Sequence, residues 1–229
     1  VDRAIAQCPA RTPRPERIRL CLKRVGSVLR TIREAQRHRT SEYDAEDAYL
    51  LRSAAMFVVF HRYIRMFDEL IAEHHRLGGD PQPVSFADDC IGELRQYGLS
   101  HEEAVRYFGL FYQLRRAFYF ISHGLTGGSA CMKRLRCELW TSIFTHNVRT
   151  YDTCLWGRME DFSTLLLGET GTGKGTAAAA IGRSGFIPFL PRKKCFAESF
   201  SRAFVSINLS QYLESLIESE LFGHRKGAF

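Results

Sequence analysis

The residues best equipped for chemistry form one short run, Gly168 to Gly175, which reads GETGTGKG and closely matches the spacing G-x-x-x-x-G-K-[ST]. Gly168, Gly171 and Gly173 permit tight turns that aim successive N–H groups into one concavity, where anionic oxygens can be held. Glu169, Thr170 and Thr172 occupy the variable positions between them. Lys174 adds a point charge toward outer phosphates, and a helix beginning there adds the partial positive charge of its N-terminus. Gly175 stands where the strict pattern has a Ser or Thr whose hydroxyl coordinates magnesium, and Thr176 lies one step beyond it. The plain alternative is a glycine-rich turn that holds nothing.

Such a loop works between a strand that ends in it and a helix that begins in it. Ser163 to Leu167 (STLLL) is expected to be the buried strand, and Lys174 to Ile181, rich in alanine, the helix. Ala203 to Asn208 alternates like a second strand and Tyr212 to Leu221 reads as another helix, which gives this part α/β character.

The first 122 residues read differently, as an all-helical unit. Ile18, Leu22, Val25, Leu29 and Ile32 form one apolar stripe on a first helix running to about His38. A second helix, Asp44 to about Arg76, is apolar nearly all round between Leu50 and Leu70 and is expected to be buried. After the loop Leu77 to Pro83, a third helix spans Phe86 to Tyr97 and stops at Gly98. Ser100 and Glu103 make a capping-box pair for a fourth, His101 to Ser122, whose stripe of Tyr and Phe is expected to be core rather than a ligand pocket. A further helix, Ala130 to Phe144, follows the break Gly124 to Ser129. The expected division is thus a helical sensory or regulatory domain over 1–122 and an incomplete P-loop α/β domain over 123–229, an α plus α/β fold class.

Composition bounds what these parts can be. With 229 residues, 45% hydrophobic and 25% charged, the chain is of ordinary globular type. Its longest apolar stretch, Ala54 to Phe60, is far short of the ~20 residues needed to span a bilayer. No signal-peptide pattern opens the chain, so a cytoplasmic location with no membrane partner is expected. Of the net charge of +7, the first 40 residues carry more than the whole, with eleven Lys/Arg against three Asp/Glu. Those cations are expected to be mainly the solvated face of the first helix, since no groove-reading motif accompanies them. Seven cysteines without a C-x-x-C pair argue for free thiols over a disulfide framework or a zinc site.

With Gly168 to Gly175 and Glu218 to Phe229 (ESELFGHRKGAF) both in view, the sequence resembles the central AAA+ domain of sigma-54-dependent transcriptional activators, the bacterial enhancer-binding proteins. Family members read GESGTGKE at the first motif and ESELFGHEKGAFTGA at the second. Gly124 to Met132 (GLTGGSACM) is similar to the G-x-S-x-x-M start of that domain, so the resemblance covers about 124–229. Residues 183–203 are longer and more basic than the family's usual connection, so the resemblance implies a surface insertion there. It implies ATP as ligand, held by Gly168 to Thr176, with Mg2+ in the complete domain. It further implies a self-assembled ring and contact with sigma-54 RNA polymerase through a loop of which Gly227, Ala228 and Phe229 are the beginning. DNA would be bound only by a C-terminal domain beyond this sequence. The resemblance also implies that the chain is a fragment, ending within the GAFTGA motif, without the acidic strand and arginine fingers that hydrolysis requires. No catalytic residue is therefore assigned, and no ATPase activity is expected of it alone. The alternative is a non-enzymatic helical module for a ligand or partner, with an inert AAA+ remnant. A small P-loop kinase is weaker, since it leaves Glu218 to Phe229 unexplained.

Overall fold

The computed structural model describes residues 5–9, 11–35, 43–146, 150–158, 161–208, 211, 217 and 223. Five helices come first: α1 Arg14–Glu34, α2 Ala45–Leu77, α3 Ala87–Gln96, α4 His101–Gly124 and α5 Ala130–Phe144. Their boundaries are set locally. Asp44 Oδ1 accepts from the N–H groups of Glu46 and Asp47 to start α2, and Gly78, at φ 61°, closes it. Ser100 and Glu103 form the reciprocal capping box at the start of α4, at 3.1 and 2.8 Å.

Helix α4 is the axis of the packing. It lies against α2, α3 and α5, and its buried face includes Tyr107, Phe108, Phe111, Tyr112 and Phe120. The aromatic stripe is therefore core, except Phe118, which is 41% exposed and lies under the Arg115 guanidinium. Helix α2 is less enclosed than its composition implies. Val59, Phe67 and Ile71 are buried, but Leu50 and Met66 face solvent, because only part of its circumference meets α1, α3 and α4. On α1 the expected stripe holds, with Leu29 buried and Leu22, Val25 and Ile32 packed against the core.

The second half departs further from expectation. After a π-helical turn at Tyr151–Leu155, residues 163–167 form no strand, and Leu165 and Leu167 are 80% and 84% exposed. Residues 203–208 form none either, with Val205 73% exposed. An extended segment needs lateral partners for its N–H and C=O groups. Among the described residues the only sheet is a two-stranded antiparallel one, β1 Phe189–Leu190 with β2 Cys195–Phe196, paired Phe189 to Phe196 and Leu190 to Cys195. Of the helix expected over 212–221, every position but 217 lies outside the described residues.

That hairpin corrects the reading of 183–203 as a surface insertion. Phe189, Phe196 and Phe200 are buried, and the Phe196 ring stacks on Tyr112 with centroids 3.8 Å apart. Burying three phenylalanines outweighs the exposure of the basic turn between the strands, and Lys194 there pairs with Asp88 of α3. Gly109 of α4 permits the approach, since a Cβ there would lie 2.9 Å from the Phe186 ring. One hydrophobic core consequently runs from Leu29 to Phe200, across residue 122. All seven cysteines are free thiols, with Cys21 and Cys90 buried. Among the described residues, no helix is long and apolar enough to cross a membrane.

Candidate functional site

Helix α6, Lys174–Gly182, starts where the glycine spacing places it. Gly173 is its N-cap at φ 88°, and Gly171 stands at φ 83°, both in the left-handed region that glycine adopts without strain. No side chain caps the helix, so the N–H groups of its first turn remain directed at the loop. The loop closes on itself. Thr172 Oγ1 donates to the Glu169 carbonyl at 2.7 Å, and Lys174 Nζ donates to the carbonyls of Gly168 and Glu169 at 2.8 and 2.6 Å. A Cβ on Gly168 would lie 3.0 Å from Thr172 Oγ1, so this closure depends on glycine there too.

The structure thus brings Gly168, Glu169, Thr172, Gly173 and Lys174 together. Thr170 and Gly171 form the exposed turn between them. Gly175 contributes no side-chain oxygen, and the Thr176 methyl group faces Gly124 at the end of α4. The arrangement suits a phosphate group: left-handed glycines, uncapped helical N–H groups and an ammonium at the mouth of the loop. It suits magnesium less well, since the position after the lysine carries no oxygen. Gly227, Ala228 and Phe229 lie outside the described residues.

What seats this loop is the far end of α6. Ala177 and Ala180 are buried where α6 crosses α4 and α5. Beyond them, α4 side chains take up the carbonyls that end the helix. Arg116 donates to Arg183 O at 2.8 Å and to Gly185 O at 2.5 Å, and Gln113 donates to Ser184 O at 2.9 Å. Gln113 also accepts from Tyr151 Oη at 2.7 Å, which joins the π-helical turn to the same network. That turn is further held by Asp152, which accepts from Arg106 at 2.6 Å and from Tyr107 at 2.8 Å. A cation at a helix C-terminus is electrostatically favourable. Burial nevertheless lowers the Arg116 pKa to about 10, and Tyr112, whose ring lies 4.6 Å from the guanidinium carbon, pulls it back up. Sequence reading passed over Arg116 and Gln113 because they lie within an aromatic run. Their signal was the occurrence of two polar residues, three apart, on an otherwise apolar helical face.

Sequence comparison matches residues 148–229 to the sigma-54 interaction domain. Gly124 to Met132, expected as the start of that domain, falls outside the match. The chain is also similar to several curated regulators. The chain is 40% identical over 67 residues to the sigma54-dependent transcriptional regulator SfnR of Pseudomonas fluorescens, covering 29% of this chain and 15% of SfnR. It is 44% identical over 69 residues to the hydrogenase transcriptional regulatory protein HoxA of Cupriavidus necator, covering 30% and 12%. With the transcriptional regulator VasH of Vibrio cholerae it shares 35% identity over 109 residues, 48% of this chain and 16% of VasH. The chain therefore aligns with less than a fifth of the length of these relatives. No solved structure matches it.

Proposed function

We propose that this chain is part of an ATP-binding sigma-54-dependent transcriptional regulator of the cytoplasm, with Gly168 to Thr176 as its nucleotide loop. The observation that carries the reading is the loop itself, with the Lys174 ammonium between the carbonyls of Gly168 and Glu169 at the uncapped start of α6. In the bound state the amides of Gly171 to Gly175 hold the phosphates, and Lys174 exchanges its two carbonyl partners for phosphate oxygens. ATP would supply a hydrolysable phosphoanhydride whose cleavage drives remodelling of sigma-54 RNA polymerase. Self-assembly into a ring, and polymerase contact beginning at Gly227, Ala228 and Phe229, belong to the same proposal.

Titration of the chain with a fluorescent ATP analogue tests this. Saturable binding lost in Lys174→Ala is expected. Equal binding by both proteins would remove the loop from the reading.

A further inference from the structure

Another concave site lies between α1, α2 and the end of α3. It is a cleft of about 460 Å³. Lys23, Arg30 and Arg33 reach it from α1 and Arg62 from α2, and no carboxylate lines it. Arg62 pairs with Glu93, whereas Lys23, Arg30 and Arg33 hold no carboxylate among the described residues. This contrasts with Arg52, Arg106 and Arg115 elsewhere in the fold, each of which has one. The remaining lining is apolar or neutral: Leu22, Val58, the buried Tyr97, and His61. His61 donates from Nδ1 to the Phe57 carbonyl at 2.8 Å, and burial holds its pKa below the ordinary value, so it presents a neutral ring.

The cleft opens over Gly26, midway along α1. A Cβ there would meet nothing within 4 Å and the residue has ordinary helical φ, so neither packing nor backbone conformation calls for glycine. Glycine lowers helix propensity at such a position. What its absent side chain provides is depth, between cations at the rim and apolar groups at the floor. Small-molecule sites have this size and this division of labour, with a few charged groups orienting a ligand whose body is buried on apolar walls.

We infer that this cleft binds a small organic anion, a ring or short apolar body bearing one carboxylate, sulfonate or phosphate group. The anionic group lies among Lys23, Arg30 and Arg33, and the apolar body rests over Gly26 on Leu22, Val58 and Tyr97. An extended polyanion such as nucleic acid would use the same cations without needing the space over Gly26, and that difference separates the two.

Fluorescence titration of the full chain with anilinonaphthalene sulfonate, an aromatic anion of this class, tests the inference. Saturable binding is expected, weakened about tenfold or more both by Gly26→Leu, which fills the cleft and keeps its charge, and by the double variant Arg30→Gln/Arg33→Gln, which keeps its space. Val28→Ser, in the neighbouring apolar groove between α1 and α2, should leave binding unchanged. The two arginines are exposed, so the double variant folds whatever Gly26→Leu does, and circular dichroism checks both. Absence of saturable binding, binding indifferent to the double variant, binding indifferent to a folded Gly26→Leu, or binding that instead follows Val28→Ser would each overturn the assignment. So would duplex DNA that displaces the probe and binds Gly26→Leu as well as the parent.

Discussion

Arg116 of α4 and Arg183 at the end of α6 are joined by a 2.8 Å hydrogen bond from the first guanidinium to the second residue's carbonyl, and Arg116 itself has no exposed surface. The bond fastens the helix that follows the glycine loop to the centre of the helical core. Replacing a buried ionic group by a hydrophobic one of similar volume is often neutral, because desolvation of the charge is relieved. Here the partners are carbonyls rather than a carboxylate, and they stay behind when the guanidinium goes. Loss of donors to Arg183 and Gly185 therefore outweighs the relief, and Arg116→Met should destabilise the protein by ~2–4 kcal/mol. Urea denaturation measures it. A variant as stable as the parent would mean that water replaces the guanidinium without cost.

Phe196 tests whether the hairpin belongs to the core. It is 1% exposed and touches Tyr112, Phe108 and Phe189. Phe196→Ala should cost ~3–5 kcal/mol, the usual range for removing a fully buried aromatic ring. A cost below ~1 kcal/mol, as for surface positions, would show that the hairpin packs only loosely.

These two residues mark where the sequence was and was not informative. The capping box of α4, the stop of α3 at Gly98 and the start of α6 at Gly173 were legible because each is fixed by residues within a few positions of one another. Ser163 to Leu167 misled because STLLL has the composition of a buried strand, while a strand also needs neighbours that no local pattern reveals. Phe189, Phe196 and Phe200 lay among arginines and lysines, and their burial depends on α4, some 80 residues earlier. The turn-forming glycines Gly171 and Gly173 were readable position by position. The loop's attachment through Arg116 and Gln113 was not, since a polar residue in an apolar run shows that a partner exists without saying where.

Alkaline stability follows from the same buried groups. Burial raises the hydroxyl pKa of Tyr107, Tyr112 and Tyr151 to about 12, with the Asp152 carboxylate adding to the effect at Tyr107. A group whose pKa is raised on folding contributes stability that is complete below the unfolded value, near 10, and is lost as pH rises through the folded one. Arg116 runs the other way, since its lowered pKa makes folding easier as pH climbs above about 10. Burial raises Tyr63 to about 12 as well, so four tyrosines oppose one arginine and stability should fall between about pH 10 and 12. Tyr151→Phe should soften the decline. Denaturation midpoints across this range, followed with tyrosinate absorbance, provide the check, and a midpoint that rises with pH would reverse the assigned balance.

Gly173 and Gly175 flank Lys174 and should respond in opposite ways to a side chain. Gly173 holds φ 88°, where an L-residue is strained by ~1–2 kcal/mol. The loop is exposed, so that strain can be relieved by local unwinding at the start of α6, with little change in overall stability. Unwinding disperses the N–H groups that face a phosphate, and Gly173→Ala should therefore weaken binding of the fluorescent ATP analogue by about 5- to 30-fold, the same energy expressed as affinity. Gly175 lies within the helix at ordinary φ, and a Cβ there meets nothing within 4 Å. Serine fits without strain, improves the helix, and restores a hydroxyl at the position after the lysine. Gly175→Ser should keep or tighten analogue binding, and the gain should appear with magnesium and vanish with chelator. Titrating both variants in the two conditions decides the matter: if Gly173→Ala binds like the parent, the left-handed glycine does not organise the site, and a Gly175→Ser gain that persists in chelator would owe nothing to a restored metal ligand.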